Sequence, residues 1–280
     1  MQDLRQEIIG LLIENATKLG IESDEKGYVN SLEDNLVEKL TSWNQIKNDL
    51  AIGDGKELSC NGANKPKFCA LHSSAALCVN SFMPFVEYPN QLSFLEEINY
   101  TEKVFGKKLD TGVGTLTIDL LLSNKAYSVG VISKFLETLS LKKTKSLATF
   151  IKQKKLIEGI PDSFFNLIQR YLDTKYEGYL DVSQLIKHTL GLIKYAKSNH
   201  TRPKLVYMYW TPDDTGSLPA SFIKHQKELE AFSGEIRPFI DFIPMRYEDL
   251  WSEIEKMENC HEYISKLRNK CQITLSPEEV

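Results

Sequence analysis

The stretch GTLTIDLLLSNKAYSVGVISKFLE, residues 114–137, decides the fold. Residues 114–122 alternate and are rich in β-branched side chains. Ser123-Asn124-Lys125 reads as a turn, and 126–135 is a second run of strand formers. Two such runs joined by so short a turn make an antiparallel hairpin. Side chains two apart on a strand share a face, which groups Gly130, Ile132 and Lys134 on one side, with Val131 and Ser133 on the other. Lys134 thus ends a strand whose hairpin partner carries Asp119 inside the apolar run TLTIDLLL. An unpaired buried carboxylate is costly, so Asp119 needs a cation or hydrogen bonds. Lys134 could be that cation, as could a metal; a plain Asp119–Lys134 ion pair is the bland reading.

Working outward, residues 2–18 have Leu4, Ile8, Leu11, Leu12 and Ile13 near helical spacing. Ser31 and Asp34 stand at capping-box spacing, predicting a helix over 31–50. GDGKELSCNGANKPK (53–67) reads as a loop, 72–82 as a short apolar helix and 98–105 as a strand. Beyond the hairpin, helices are predicted over 144–156, 162–174, 182–197, 222–232 and most of 247–270. LVYMYW (205–210) has the unbroken apolar character of a central strand, and 236–245 reads as another. The fold class is mixed α/β, a small mixed sheet among many helices. Residues 1–50 are expected as a helical N-terminal extension and 51–280 as the main domain.

With 280 residues, 42% of them hydrophobic and 26% charged, the composition excludes a mostly disordered chain. The net charge of −4 argues against a surface coated in basic residues. Its distribution is uneven: residues 1–57 carry −6, 58–202 carry +7 and 203–280 carry −5. A basic middle between acidic ends hints at a polyanionic partner. The start MQDLRQEIIGLLIEN lacks the form of a secretory signal, and no run reaches the length of a membrane span. A cytoplasmic location is expected, with the five cysteines reduced. Cys60, Cys69, His72 and Cys78 lack a tight zinc knuckle. No P-loop and no GxGxxG fingerprint occurs.

The hairpin resembles the core of the PD-(D/E)XK nuclease superfamily, in which an Asp on one strand is followed on the next by Glu-x-Lys. GDGKEL (53–58), PKFCALHSSAALCVNSFMPF (66–85), SKFLE (133–137), SQLIKHTLGLIKYA (183–196) and LVYMYWTP (205–212) are similar, in order and spacing, to a bacterial family of restriction endonucleases within that superfamily. The resemblance implies a restriction-endonuclease-like core and Mg²⁺ or Mn²⁺ held by carboxylates. It also implies double-stranded DNA as substrate, no membrane partner, and a homodimer. Asp119 and Lys134 carry over. The family reads like IESKFTE where this chain has VISKFLE, so Ile132 occupies the Glu of Glu-x-Lys. Ile cannot ligate a metal. Three readings are open: a carboxylate from elsewhere replaces it, the fold is degenerate and noncatalytic, or Ile132 disables a nuclease. Glu102 and Glu57 are the candidate replacements; Glu137 is another, but lies beyond the strand.

Helix 182–197 sets Gln184, Lys187, His188 and Gly191 in one stripe. The resemblance brings this helix beside the hairpin, with Gln184 and Lys187 near the phosphate or the attacking water. His188 reads more simply as a satisfied core or surface histidine. Ser73 reads as a helix N-cap. LKKTKSLATFIKQKK (141–155) carries Lys142, Lys143, Lys145, Lys152, Lys154 and Lys155 without an acid. These lysines are either phosphate contacts or a solvated face. Tyr171, Tyr176 and Tyr179 fit core packing better than base stacking.

Overall fold

Asn124 closes the expected hairpin: its Oδ1 accepts from the backbone N–H groups of Ala126 and Tyr127, both at 2.8 Å. The computed structural model describes residues 2–275 except 54–55, 61, 63, 90–92, 97–99, 214–217 and 258–259. β1 (Glu102–Asp110), β2 (Thr115–Ser123) and β3 (Tyr127–Lys134) form an antiparallel meander. Helices α1 (Gln2–Lys18), α2 (Trp43–Ile52) and α3 (Ser74–Glu87) precede it. The chain leaves the meander through β4 (Lys142–Lys143), α4 (Ala148–Lys152), α5 (Asp162–Asp173) and β5 (Glu177–Gly178). It then runs along α6 (Val182–Ser198) and re-enters the sheet as β6 (Arg202–Tyr209), parallel to β3. Helix α7 (Ala220–Ile236) leads to β7 (Asp241–Arg246), parallel to β6, and α8 (Tyr247–Glu255) and α9 (His261–Cys271) follow. The sheet order is β1-β2-β3-β6-β7; β4 and β5 pair separately.

Two apolar cores lie on the two faces of this sheet. Val129, Val131, Val206 and Met208 share the first with Phe82 of α3 and Trp251 of α8. Ile132, Leu205 and Tyr207 share the second with Ile186 and Leu190 of α6 and Phe232 of α7. The alternation read along β3 therefore holds. Gly130 is required by this packing, because a Cβ there would overlap Ile118 and press on Leu192 of α6.

The β1–β2 hairpin changes face halfway along. Phe105 pairs with Leu120 and both enter the first core; Leu109 and Ile118 enter the second. Strict alternation would keep residues 105 and 109 on one face. Gly106, at φ +65°, lies between them and adopts the conformation that β-branched residues resist. The β2–β3 ladder meanwhile stops at Leu120↔Val131. Asp119 thus stands at a crease, released from the regular ladder toward β3.

Two expectations change. Ser31 and Asp34 do form a reciprocal capping box, but only a 3₁₀ turn follows (Glu33–Asn35). Leu36 is extended, and Asn80 Oδ1 accepts the Val37 N–H at 2.7 Å, so the helix begins only at Trp43. The N-terminal helices precede the sheet, as expected, and Ile8, Leu12 and Trp43 enter the same core as Leu267 of α9. The stretch 144–156 breaks into 3₁₀ turns around the short α4. Residues 98–99 of the expected first strand lie outside the described residues.

Candidate active site

The crease opens into a cavity of about 680 Å³. Four elements aim at it. The middle of β2 brings Asp119, and the end of β3 brings Ser133 and Lys134. The first turn of α3 brings Ser74; Ser73 caps this helix, its Oγ accepting from Ala76 N–H at 3.2 Å. The first turns of α6 bring Ser183, Gln184 and Lys187, and Asp181 caps it through Gln184 N–H at 2.9 Å.

Asp119 is half-buried, and its Oδ2 accepts the Ser133 backbone N–H at 2.8 Å. That bond satisfies a strand donor at the point where the ladder between β2 and β3 has stopped. Oδ1 has no hydrogen-bond partner among the described residues. Burial pushes the carboxyl up to about 6, against the opposing pull of Lys134 and the Ser133 N–H. Lys134 is only 9% exposed, yet its ammonium has no hydrogen bond or ion pair among the described residues. The bland reading, an Asp119–Lys134 ion pair, is therefore not what the two side chains form. Ser133 packs the other way: its hydroxyl donates to Ser74 O at 2.7 Å and accepts from Tyr247 at 2.6 Å.

Glu137 also lines the cavity. A 3₁₀ turn, Glu137–Leu139, folds the chain back directly after β3. Glu137 Oε2 accepts the Phe135 N–H at 2.8 Å and Oε1 the Ser74 hydroxyl at 2.7 Å. Burial alone would raise this carboxyl; Lys134, Ser74 and the Phe135 N–H outweigh it and hold it below the ordinary carboxylate value. The sequence names this residue as a candidate beyond the strand but does not place it, because a strand pattern carries no information about where the chain turns next.

The other expected residues divide. Glu57, Gln184 and Lys187 line the cavity; Lys187 donates to Ser146 Oγ at 2.8 Å and Glu57 pairs with Lys67 at 3.8 Å. Glu102 does not line it. Its carboxylate is held by Lys107 at 2.9 Å, Ser123 at 2.9 Å and Tyr195 at 2.7 Å, at the far end of β1. Ile132 is fully buried in the second core, so its position offers no ligand. His188 bridges α6 to β2, Nδ1 facing Gln184 O at 2.7 Å and Nε2 facing Thr117 O at 3.1 Å. Burial lowers it to about 4, which leaves a neutral structural ring. Tyr171 and Tyr176 pack against the second core and donate to Glu235 and Glu228.

The lysine tract is less concentrated than its sequence suggests. Of its six lysines only Lys143 lines the cavity. Lys142 bonds Ser140, Lys154 pairs with Asp162 at 2.8 Å, and Lys145, Lys152 and Lys155 are exposed. Two lysines not singled out from sequence, Lys56 and Lys108, do line it. The five lysines there face Glu57, Asp119, Glu137 and Asp181, so the +7 segment does not gather as a block around the site.

The donor set fits a hard divalent cation. Among the described residues no three of His, Cys, Asp and Glu converge as an all-protein cage. Mg²⁺ commonly uses one or two carboxylates and completes its shell with water and substrate phosphate. Asp119, which lines the cavity and whose Oδ1 has no hydrogen-bond partner among the described residues, would supply the first of these.

A helix, an antiparallel meander with Asp and Lys at its open end, a crossover helix and a parallel strand together define a restriction-endonuclease-like protein. A family model described as "Restriction Endonuclease associating with ARP" matches residues 14–270, and the chain belongs to that family. No curated protein and no solved structure matches the chain. Among the described residues no helix is long and apolar enough to cross a membrane.

Proposed function

We propose that the protein is a Mg²⁺- or Mn²⁺-dependent endonuclease of restriction or phage-defence type that hydrolyses phosphodiester bonds in double-stranded DNA. The observation that carries the reading is the meeting of Asp119 and Lys134, whose ammonium has no partner among the described residues, on a cavity with lysines in its wall. Asp119 and a second carboxylate would hold the ion; Glu57 on the cavity wall is one candidate, and Glu102 is spent elsewhere. When bound, the ion would polarise the scissile phosphate and make water a better nucleophile. Lys134 is buried and has no hydrogen bond or ion pair among the described residues, so it can donate to a phosphate oxygen or to the incoming water as charge develops. Gln184 and Lys187 orient the strand from α6. Lys56, Lys108 and Lys143 grip its backbone, which carries no base information. Lys142, Lys145, Lys152, Lys154 and Lys155 extend the contact beyond the cavity. A homodimer would present two such sites to two strands.

A second reading, a noncatalytic nucleic-acid-binding protein on the same fold, is favoured by one observation: Ile132 is sealed in the core where the family pattern has Glu. Plasmid cleavage with Mg²⁺ or Mn²⁺ separates the two. The nuclease reading expects cutting by the natural chain and its loss in Asp119→Asn and Lys134→Ala. Salt-sensitive DNA binding without cutting supports the second reading. Cutting that survives both substitutions would overturn the site.

A further inference from the structure

We propose that Glu137 replaces the missing acid of the Glu-x-Lys pattern, holding a Mg²⁺- or Mn²⁺-class cation with Asp119 from the turn after β3 rather than from the strand. This rests on the nuclease reading and completes its site. The position that should carry the acid is closed: Ile132 has no exposed surface and lies among the apolar side chains of α6. The chain does not lack an acid, however; it presents one five residues later on the same cavity as Asp119 and Lys134.

Glu137 is built for a fixed task rather than left as a loop acid. Two elements hold it, β3 through the Phe135 N–H and α3 through the Ser74 hydroxyl. Each bond uses one lone pair on its oxygen. A carboxylate offers about four such sites, so both oxygens keep capacity toward the cavity. Nor is Glu137 consumed by Lys134, whose ammonium forms no ion pair among the described residues. Two hard oxygen donors lining one cavity, both within electrostatic reach of the Lys134 ammonium, match a site that leaves the remaining metal positions to water and phosphate. Glu57 is the rival. It shares the cavity but is paired with the exposed Lys67.

The test uses Mn²⁺ alone, titrated into the full chain by calorimetry, with thermal unfolding and plasmid cleavage measured in parallel. Glu137→Gln should weaken Mn²⁺ binding at least tenfold while keeping its melting temperature near that of the natural chain. Glu57→Gln should change the affinity less than threefold. Ser74→Ala keeps the carboxylate but frees one oxygen from its guide; it should weaken binding by a smaller factor, and it serves as the readout should Glu137→Gln not fold. Mn²⁺ affinity unchanged in Glu137→Gln, a loss seen in Glu57→Gln instead, or no Mn²⁺ binding by the natural chain would each overturn the proposal. The two readings fail separately. Mn²⁺ bound through Glu137 without DNA cleavage removes the nuclease and keeps the site. Cleavage that Glu137→Gln retains removes Glu137 and keeps the nuclease.

Discussion

Glu102 and Asp119 are acids on the same two-stranded ribbon, roughly 13 Å apart at four residues of strand rise, and their surroundings differ in kind. Glu102 accepts from Lys107, Ser123 and Tyr195. Burial opposes its charge, but these donors win and hold its carboxyl below the ordinary value. Asp119 accepts one backbone N–H, and there burial wins, lifting it to about 6. The first acid is satisfied by the protein. The second keeps one oxygen without a hydrogen-bond partner among the described residues. The nuclease reading therefore puts its chemistry at the crease, although both residues are acids of the right type near the right strand.

The largest expected effect separates the two directly. Asp119→Asn should lower DNA cleavage by about 10³-fold or more, the scale of removing a group that organises transition-state charge. Glu102→Gln should leave cleavage within about threefold, since its hydrogen bonds shape the strand end and not the cavity. Rates measured at saturating Mg²⁺ check the pair. Equal losses in both variants would erase the distinction between them.

Ile132→Glu creates a third kind of carboxylate, with neither the partners of Glu102 nor the opening of Asp119. The natural side chain is fully buried among apolar neighbours. Sealing an acid there should cost about 3 kcal/mol or more. That corresponds to a melting temperature lower by roughly 6–10 °C in a chain of this size. Thermal unfolding at pH 7 is the measurement, and an undiminished melting temperature would show that the new side chain reaches the cavity beside Lys134.

What the sequence made legible was local. Alternation in 114–122 and the Asn124 turn announced the hairpin, and the apolar 205–210 segment announced the strand beside it. Lys134 and Asp119 followed from period two. The distinction between Glu102 and Asp119 did not, because it depends on Tyr195 reaching across from α6 and on Gly106 turning the ribbon over. Gly106 is itself held by distant chain: a Cβ on Gly53 would overlap its carbonyl, so α2 packs directly on the crease. Glu137 could be named as a candidate but not placed, for a related reason. Its carboxylate returns through a 3₁₀ turn and is anchored by Ser74, 63 residues earlier. The Ser31–Asp34 box shows the converse, a local signal obeyed to the letter while Asn80 ends the helix it should have begun.

The two acids should also differ in their pH signatures. Asp119 has a folded-state value raised to about 6 from an ordinary 3.8, so its ionisation opposes folding. The stability it lends is complete below pH 4 and is lost as pH rises through 6, amounting to roughly 2–3 kcal/mol from a shift of about two units. Asp119→Asn should therefore be more stable than the natural chain at pH 7, and the gap should close toward pH 4. Glu102 is lowered, so its contribution is present above its ordinary value and lost on acidification. Glu102→Gln should thus be the less stable chain at pH 7, by about 1 kcal/mol for the hydrogen bonds it weakens. Denaturant unfolding at pH 4, 5, 6 and 7 checks both slopes. Mn²⁺ should compete with the Asp119 proton, so its affinity should climb toward pH 6 and level above it.

The smallest effect concerns the cavity wall, where Lys108 and Lys107 make the same contrast one residue apart on β1. Lys107 is committed to Glu102 at 2.9 Å, whereas Lys108 is exposed and lines the cavity. Only the second is available to release a counterion when a phosphate arrives. Lys108→Ala should reduce the slope of log affinity against log salt by about one and weaken binding of every DNA sequence alike. Lys107→Ala should leave that slope unchanged, because its charge is already balanced within the protein. Filter binding or fluorescence anisotropy across a salt series reads both. If Lys107 rather than Lys108 carries the salt dependence, the DNA runs along the Glu102 end of the ribbon, and the division between a satisfied end and a working end is reversed.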